Sequence, residues 1–365
     1  MTFAFTEEQQ ELRSTAARFL DEKSSSAIVR ELMETDTGFD EGTWKQMADL
    51  GWFGMAIPEE YGGLGFGFVE VTVLLEEMGR KLLPAPYLSS VIFGANAILN
   101  AGTEDQRKEL LPGIADGTTR ATLAFVEPSG KWDIDAIEVT ESGGKISGTK
   151  SYVLDGHTAT LLIVAAKSSD GLGLYLVDPD AEGVTRTKLE TLDMTRKQAK
   201  IDFNNTPATR LGSGDATEAL QKTLNQAAAV LSAEMVGGAQ QCLDMSTQYA
   251  KERYQFGRPI GSFQAIKHKC ANMLMEVEMA RSAAYYAGWA AAEDPEELPL
   301  AASLSKAYCS DAYFHAAAEN IQIHGGIGFT WEHDAHLYFR RAKSSEIYLG
   351  DATYHRELVA QKLGV

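Results

Sequence analysis

The stretch Lys251–Lys267, KERYQFGRPIGSFQAIK, gives the strongest indication of the fold. It joins the basic end of one predicted helix to a second helix that begins near Phe263, through a turn containing glycine and proline. Arg253 can bind a phosphate through its planar guanidinium, and Phe256 can stack on a planar ring. Gln264 adds an amide that can hydrogen-bond to the edge of such a ring. The stretch therefore predicts a turn between helices that holds an anionic, planar ligand.

A second glycine-rich turn supports this interpretation. Taken alone, the first turn also fits an ordinary helix end, because basic residues, Gly257 and Pro259 are common there. The segment Gln322-Ile-His-Gly-Gly-Ile-Gly-Phe329 follows another long predicted helix. Its adjacent glycines, Gly325 and Gly326, let backbone N–H groups approach a phosphate or a ring without an obstructing Cβ. The two turns together favour a ligand site over a simple helix stop.

The composition predicts a large globular protein and excludes several classes of function. The chain has 365 residues, 44% of them hydrophobic, which suits about two or three domains of roughly 150 residues each. Its formal net charge of −18 repels phosphate backbones, so we expect no nucleic-acid partner. No apolar run reaches the ~18 residues that a membrane span needs, and the N-terminus lacks a secretory signal pattern. We therefore expect a cytoplasmic protein.

The cysteines predict neither a disulfide framework nor a metal site. Cys242, Cys270 and Cys309 are scattered and show no CxxC spacing. The string Gly62-Gly-Leu-Gly-Phe-Gly67 invites a dinucleotide-binding interpretation. That fingerprint requires a preceding strand and a following helix in a parallel unit, whereas helical sequence flanks the string here. We predict a turn between helices at this position.

The pattern changes twice along the chain, which predicts three domains. The first part is helical: Thr6 and Gln9 form a predicted capping box, and Val69–Met78 is a helical run that Gly79 ends. Short apolar runs separated by turn residues then predict the strands of a β-sandwich or barrel. Long Ala- and Leu-rich segments predict a helical bundle. The expected α+β fold comprises helical domain 1–119, central β domain 120–212 and helical bundle 213–365.

Over essentially its whole length the chain resembles the acyl-CoA dehydrogenase family. The resemblance implies a C-terminal four-helix bundle, an FAD extended between subunits, and an acyl-CoA thioester stacked beside the flavin. In that family a glutamate removes the α-proton, the β-hydrogen leaves as hydride to the flavin, and an electron-transfer flavoprotein accepts the electrons. The family's contacts to the pyrophosphate and adenine end of a neighbouring subunit's FAD fall here on Arg253, Phe256, Gln264, Gln322, Gly325 and Gly326.

The motifs that contact the flavin ring in the family are altered here. The pattern Thr-Glu-Pro-x-Ala-Gly-Ser-Asp appears as Val126-Glu-Pro-Ser-Gly-Lys-Trp-Asp133, with Trp132 in the place of serine. The pattern Lys-x-Trp-Ile-Thr-Asn appears as Lys150-Ser-Tyr-Val-Leu-Asp155, where Leu154 replaces the hydroxyl donor and Tyr152 keeps a ring. A flavin ring bound here would lose polar partners. The alternative is a divergent member that holds flavin through backbone groups.

Both positions that carry the catalytic glutamate in the family hold residues that cannot accept a proton. Leu349 stands at the usual position, and Ala227 stands at the position that a minority of members use. Two acids lie nearby: Asp351, whose position carries an adenine contact in the family, and Glu234. A base must come within hydrogen-bonding distance of its proton. We expect both acids to be structural or solvated, with Asp351 as the fallback base.

The resemblance therefore implies the non-basic subunit of a heteromeric acyl-CoA dehydrogenase, as in bacterial degradation of steroid side chains. A related partner subunit would supply the base and the flavin-ring pocket in a heterotetramer, and this chain would complete the adenine end of the same FAD. Two alternatives stay open. One is a self-sufficient homotetramer that uses Asp351 as its base. The other is a non-catalytic scaffold or binding subunit.

Overall fold

The computed structural model describes residues 5–365, which form helices, then a sheet, then helices. Within this range there are eleven α-helices and ten β-strands. The helices are α1 (Glu7–Lys23), α2 (Ser26–Glu34), α3 (Glu41–Asp49), α4 (Phe68–Arg80), α5 (Asn96–Ala101), α6 (Glu104–Ala115), α7 (Thr217–Glu252), α8 (Gln264–Glu293), α9 (Leu298–His324), α10 (Ala335–Ile347) and α11 (Ala352–Leu363). The strands are β1 (Ala121–Ala124), β2 (Thr140–Ser142), β3 (Lys145–Leu154), β4 (Leu161–Ser168), β5 (Gly171–Val177), β6 (Val184–Lys188), β7 (Gln198–Pro207), β8 (Thr209–Leu211), β9 (Tyr254–Gln255) and β10 (Arg258–Pro259).

The helical N-terminal part, the central sheet and the helical C-terminal part confirm the predicted α+β fold. By spatial clustering the chain forms two compact units. One comprises the chain up to Arg30 together with Phe68–Leu83 and Ala228–Val365; the other comprises Glu31–Gly67 and Pro84–Ala227. The predicted domain boundaries near residues 119 and 212 stay predictions. None of the helices in the described range is long and apolar enough to cross a membrane.

Local signals explain where several helices begin. At α1 the Thr6 hydroxyl accepts from the Gln9 amide at 3.2 Å, and the Gln9 side chain accepts from the Thr6 amide at 3.1 Å. This is the predicted capping box, which satisfies two otherwise unpaired backbone donors. Thr103 and Gln106 form the same arrangement at α6. The string Gly62–Gly67 forms the turn that leads into α4, as predicted.

Gly79 does not end its helix, contrary to the sequence prediction. Helix α4 continues to Arg80, and a Cβ built on Gly79 would lie 2.0 Å from the carbonyl oxygen of Glu234 on α7. A Cβ on Gly237 would likewise lie 1.8 Å from the carbonyl oxygen of Glu76. The two glycines therefore let α4 and α7 approach closely, and Gly79 serves packing rather than termination.

The central strands β1–β8 form one sheet. Seven strands follow the order β6-β7-β3-β2-β4-β5-β8, and β1 pairs in parallel with β4. Gly143 and Gly144, with φ of +60° and +79°, connect β2 to β3 in a left-handed turn that favours glycine. The sheet's buried face is lined by aliphatic and aromatic residues that include Ile146, Val164 and Phe203. This packing positions the ends of β1 and β3, where the altered motifs lie.

The C-terminal part contains three long helices, α7, α8 and α9, and two shorter ones, α10 and α11. Its described residues thus include one α-helix more than a four-helix bundle. The long Ala- and Leu-rich segments that predicted a helical bundle coincide closely with α7, α8 and α9. The segment Lys251–Lys267 covers the end of α7, the short β9–β10 hairpin and the start of α8, as its turn residues predicted.

Candidate functional site

The first predicted turn is a tight β-hairpin at the end of α7. The Arg253 amide donates to the Tyr249 carbonyl at 2.8 Å, and the Ile260 amide donates to the Arg253 carbonyl at 2.8 Å. At the tip, Phe256 and Gly257 have φ of +53° and +79°. Two consecutive left-handed residues match the twist of a two-residue hairpin. The turn thus has a defined backbone shape.

Phe256 occupies its left-handed conformation at a cost. A bulky residue in this region is strained by about 1–2 kcal/mol, and glycine or asparagine is the usual occupant. The residue is 90% exposed and contacts Phe263 only edge-on, at 6.1 Å between ring centroids. Burial within this chain therefore does not offset the strain. A ring held outward at such a cost is suited to contact another molecule.

The second predicted turn follows the end of α9. Gly325 has φ +63° and ψ −138°, a backbone conformation open essentially to glycine alone. Gly326 differs, because its φ lies outside the left-handed region and a Cβ on it would meet nothing within 4 Å. Packing inside the described chain therefore does not require glycine at position 326. The glycine leaves the backbone at this position open to close approach by a ligand or a second chain.

The two turns lie side by side because the ends of α7 and α9 pack together. The Tyr249 ring stacks on the His324 ring with 4.3 Å between centroids, and the Ser246 hydroxyl donates to Asn320 Oδ1 at 3.0 Å. Arg253 follows Tyr249 by one helical turn, and Gly325 directly follows His324. The predicted cofactor residues are all exposed around these helix ends: Arg253, Phe256, Gln264, Gln322, Gly325 and Gly326.

His324 has a structural part in this arrangement. Its Nδ1 lies 2.8 Å from the Asn320 carbonyl oxygen, so Nδ1 carries the proton in the neutral ring. Burial lowers the pKa of His324, which favours this neutral form. The buried ring thus packs the two helix ends together.

The altered flavin motifs lie next to each other in the sheet unit. The Ser151 amide donates to the Val126 carbonyl at 2.9 Å, and the Thr122 hydroxyl donates to the Leu154 carbonyl at 2.7 Å. Lys150, which is 0% exposed, donates to the Phe125 carbonyl at 3.0 Å. Although several side chains of these motifs differ from the family pattern, the structure joins the motifs as neighbouring segments.

A buried ion pair fixes these segments. Lys150 Nζ lies 2.8 Å from Glu127 Oε1, and the amides of Glu138 and Val139 also donate to that carboxylate at 2.8 Å. Burial lowers the pKa of Lys150 to about 8. Burial raises the pKa of Glu127, but the hydrogen bonds from Lys150 and Val139 outweigh this effect and leave its pKa below the ordinary value. Both groups are therefore charged at neutral pH, and the pair is structural.

The side chains at the positions of the family's flavin contacts are apolar or turned to other partners. Val126 and Leu154 are buried, and Trp132 packs against Phe125 with 5.9 Å between ring centroids. Tyr152, with φ +58°, lies on a bulge of β3 and is 39% exposed. The residues of this chain therefore suit the two ends of an FAD molecule unequally. The exposed turns suit its phosphates and adenine, whereas Val126 and Leu154 offer the flavin ring no hydroxyl.

The two positions of the family's base are both buried. Ala227 is a fully buried residue of α7. Leu349 has φ +64°, and its carbonyl oxygen lies 3.0 Å from His355 Nε2. Neither side chain has a group that accepts a proton. The described structure thus places hydrocarbon at both positions.

The two neighbouring acids have structural contacts. Asp351 caps α11, because its Oδ1 accepts from the Tyr354 amide at 2.8 Å. Glu234 is buried and forms an ion pair with Arg341 at 2.7 Å. The buried Glu234 is held by its partner, whereas Asp351 is exposed.

One buried residue near this region was missed by the sequence interpretation. Lys306 lies on α9 and contacts the segment around Leu349 through the carbonyl of Gly350. The available signal was a single basic residue in the otherwise uncharged stretch Leu300–Ser310. Charged residues at core positions of a helix are rarely buried without partners, so this lysine was a signal from which a specific buried contact could have been predicted.

Comparison with known proteins identifies the family. Residues 6–118 match the model of the acyl-CoA dehydrogenase N-terminal domain, and residues 215–364 match the model of the acyl-CoA dehydrogenase C-terminal domain. The acyl-CoA dehydrogenase IpdE2 of Mycolicibacterium smegmatis is 34% identical over 348 residues, which cover 94% of this chain and 95% of that protein. The chain belongs to the acyl-CoA dehydrogenase family. Members of this family are FAD-dependent oxidoreductases that act on acyl-CoA.

Two solved structures show the same fold over nearly the full length. A variant of the Tcur3481-Tcur3483 steroid ACAD superposes with a TM-score of 0.89 at 34% identity and covers 98% of this chain and 99% of its own. A chain of the ChsE4-ChsE5 complex of Mycobacterium tuberculosis gives a TM-score of 0.92 at 28% identity. The match covers 100% of this chain and 99% of that chain. The acyl-CoA dehydrogenase fold of this chain is thereby confirmed.

Proposed function

We propose that this chain is the non-basic subunit of a heteromeric acyl-CoA dehydrogenase, and that it completes the adenine end of an FAD held by a related partner. One observation carries the proposal. The exposed turns at the ends of α7 and α9 keep the family's cofactor residues, whereas Leu349 and Ala227 occupy both positions of its base. This chain would thus supply the adenine end of an FAD site but not the carboxylate that removes the α-proton.

The exposed turns are suited to hold the phosphates and adenine of the cofactor. The guanidinium of Arg253 offers a planar pair of donors to the pyrophosphate. Phe256 presents a ring face, and Gln264 presents an amide at the first turn of α8. Gly325 and Gly326 leave room for backbone N–H groups to approach. When bound, FAD accepts the hydride that leaves the β-carbon of the acyl-CoA thioester.

The α-proton must then be removed by a group outside this chain's usual base positions. We assign that role to a glutamate of the partner subunit, whose flavin pocket would also supply the hydroxyl donors missing at Val126 and Leu154. The assembly would desaturate an acyl-CoA thioester at its α,β-bond and pass the electrons to an electron-transfer flavoprotein. We expect a heterotetramer in the cytoplasm.

The relatives support a bulky substrate and a paired assembly. One similar structure is described as a steroid ACAD, and another is a complex of two different chains, ChsE4 and ChsE5. The paired names Tcur3481-Tcur3483 and ChsE4-ChsE5 each join two chains, which supports a heteromeric assembly. By this similarity we propose an acyl-CoA thioester of a steroid or lipid side chain as the substrate class.

Two alternatives make different predictions. A self-sufficient homotetramer requires Asp351 to act as base although its Oδ1 caps α11. In that case the chain alone would be active, and Asp351→Asn would abolish the activity while the cap is largely kept, since asparagine also caps helices. A scaffold subunit would form the complex but give no desaturase activity with any acyl-CoA.

The deciding experiment is cofactor stoichiometry. We would purify the chain alone and after co-expression with a related chain that has an intact base, and measure FAD per protein by absorbance after denaturation. We expect one FAD per pair of different subunits and none on the isolated chain. One FAD per subunit of the isolated chain would contradict the half-site proposal.

A matched pair of variants tests the phosphate contact. Arg253→Ala in the complex removes a charge-assisted hydrogen bond, and we expect FAD retention to fall by about tenfold to hundredfold. Lys251→Ala removes another exposed positive charge two residues away and serves as the control. Equal FAD retention in the two variants would exclude Arg253 from the site.

A further inference from the structure

Lys306 is a fully buried lysine that has no part in the proposed half-site. It is 0% exposed on α9, yet its Nζ has three oxygen partners. It donates to the carbonyls of Glu346 at 3.0 Å and Gly350 at 2.9 Å, and to the Ser310 hydroxyl at 3.1 Å. The amine therefore joins α9 to the last turn of α10 and to the segment that follows α10.

That segment, Tyr348–Asp351, is here called the base-position turn, and its backbone needs such support. Leu349 and Gly350 have φ of +64° and +98°, both in the left-handed region. A leucine in this conformation is strained and persists only where its surroundings fix it. His355 Nε2, 3.0 Å from the Leu349 carbonyl, adds a second buried contact. The lysine and the histidine thus hold consecutive carbonyls of the turn.

We infer that Lys306 is a positioning residue that holds the base-position turn and thereby fixes the place of Asp351 at the cofactor. The contact with the Gly350 carbonyl is one residue before Asp351, which begins α11 as its cap. Loss of the amine would leave the carbonyls of Glu346 and Gly350 without this donor. The role of Lys306 in holding the base-position turn rests on these contacts alone; only the expected effect on FAD rests on the proposed function.

The protonation of Lys306 offers a readout that a purely steric role would not show. Burial lowers the pKa of Lys306 to about 7. In the neutral form it can still donate to both carbonyls, while its lone pair faces the Ser310 hydroxyl, which can donate. The titratable groups that face it are Cys309 and Asp311 on α9, Glu346 on α10, Asp351 in the turn and His355 on α11.

The sign of the pH effect follows from linkage. Opening of the turn hydrates the amine and returns its pKa toward the ordinary 10.5. Between pH 7 and about 9 the open state therefore binds one more proton than the closed state, so the opening equilibrium falls about tenfold per pH unit. Burial raises the pKa of Cys309 to about 12 and lowers that of His355 to about 3, so neither changes charge in the closed state in this window.

Hydrogen–deuterium exchange of the peptide that covers residues 345–352 tests the inference in the co-purified complex. After correction for the intrinsic rate, we expect protection to rise about tenfold per pH unit between pH 7 and about 9. Lys306→Met should abolish the pH dependence and lower protection by about tenfold or more. Lys343→Met, at a partly exposed ion pair with Glu346, is the matched control and should behave like the wild type.

If the protection of this peptide in the wild type does not change with pH, the inference is overturned. This measurement does not use Lys306→Met, so it decides even if that variant does not fold. Equal protection in the two lysine variants would overturn it as well. We further expect Lys306→Met to release FAD about tenfold faster than Lys343→Met, which corresponds to ~1.4 kcal/mol. A complex that holds no FAD at all would refute the proposed function, while the exchange series would still decide the position of Lys306.

Discussion

Replacing Phe256 with asparagine should stabilise the isolated chain and weaken the assembled cofactor site. The left-handed conformation costs a bulky residue about 1–2 kcal/mol, and asparagine tolerates it better. Phe256 is 90% exposed, so only about a tenth of an aromatic side chain of ~200 Å² is buried, worth ~0.5 kcal/mol. The net expectation is a gain of about 0.5–1 kcal/mol in the free energy of unfolding.

The assays measure two quantities that move in opposite directions. In a chain of this size the gain should raise the melting temperature of the isolated protein by about 1 °C. Stacking of an aromatic side chain on a base is worth about 1–3 kcal/mol, so FAD retention in the complex should fall about 5- to 150-fold. Tyr254→Asn is the control, because Tyr254 is 61% exposed on the same hairpin without left-handed strain.

Three results would refute this reasoning. A lower melting temperature for Phe256→Asn would mean that the ring stabilises the isolated chain, so that the outward position is not strained. Unchanged FAD retention would mean that the ring does not contact the cofactor. Equal gains in Phe256→Asn and Tyr254→Asn would show that the gain comes from exchanging an exposed ring for an amide, and not from relief of backbone strain.

The remaining predictions concern five other residues. Lys150→Met leaves the Glu127 carboxylate buried without its ion partner, and should lower the free energy of unfolding by about 3–5 kcal/mol in denaturant titrations. Since the folded pKa of Glu127 is depressed, its stabilisation is present above its ordinary value of 4.5 and is lost as pH falls through the lowered value. Gly79→Ala forces a Cβ against a carbonyl 2.0 Å away and should cost about 1–3 kcal/mol or prevent folding. Gly326→Ala meets nothing within 4 Å, so it should leave stability unchanged but weaken FAD retention in the complex. Leu349→Glu should not create an efficient enzyme in steady-state assays, because the flavin-ring positions still lack hydroxyl donors.

Each of the four substitutions has a result that would contradict its prediction. A Lys150→Met protein as stable as the wild type would show that the pair contributes little. Normal stability of Gly79→Ala would mean that α4 and α7 can separate freely. Normal FAD retention in Gly326→Ala would remove the second turn from the site. High turnover from Leu349→Glu alone would show that only the base was missing.

The sequence by itself predicted the helices, the sheet and the two turns, because these depend on residues close together in the chain. The capping box at Thr6, the long helical runs and the Phe256-Gly257 tip are local patterns, and the structure confirms their backbone form. The absence of a proton acceptor at Leu349 and Ala227 also needs no structure, since it follows from side-chain chemistry. The cap at Asp351 was a local signal too, although it was not used.

Only the tertiary structure decided which residues serve packing and which serve a buried contact. The sequence predicted that Gly79 ends a helix, but its role depends on a carbonyl of α7, far away in sequence. The pairing of Lys150 with Glu127, and the contact of Lys306 with Gly350, join residues 23 and 44 positions apart. Burial removes such groups from water, so their partners are set by packing, and no local spacing encodes that information.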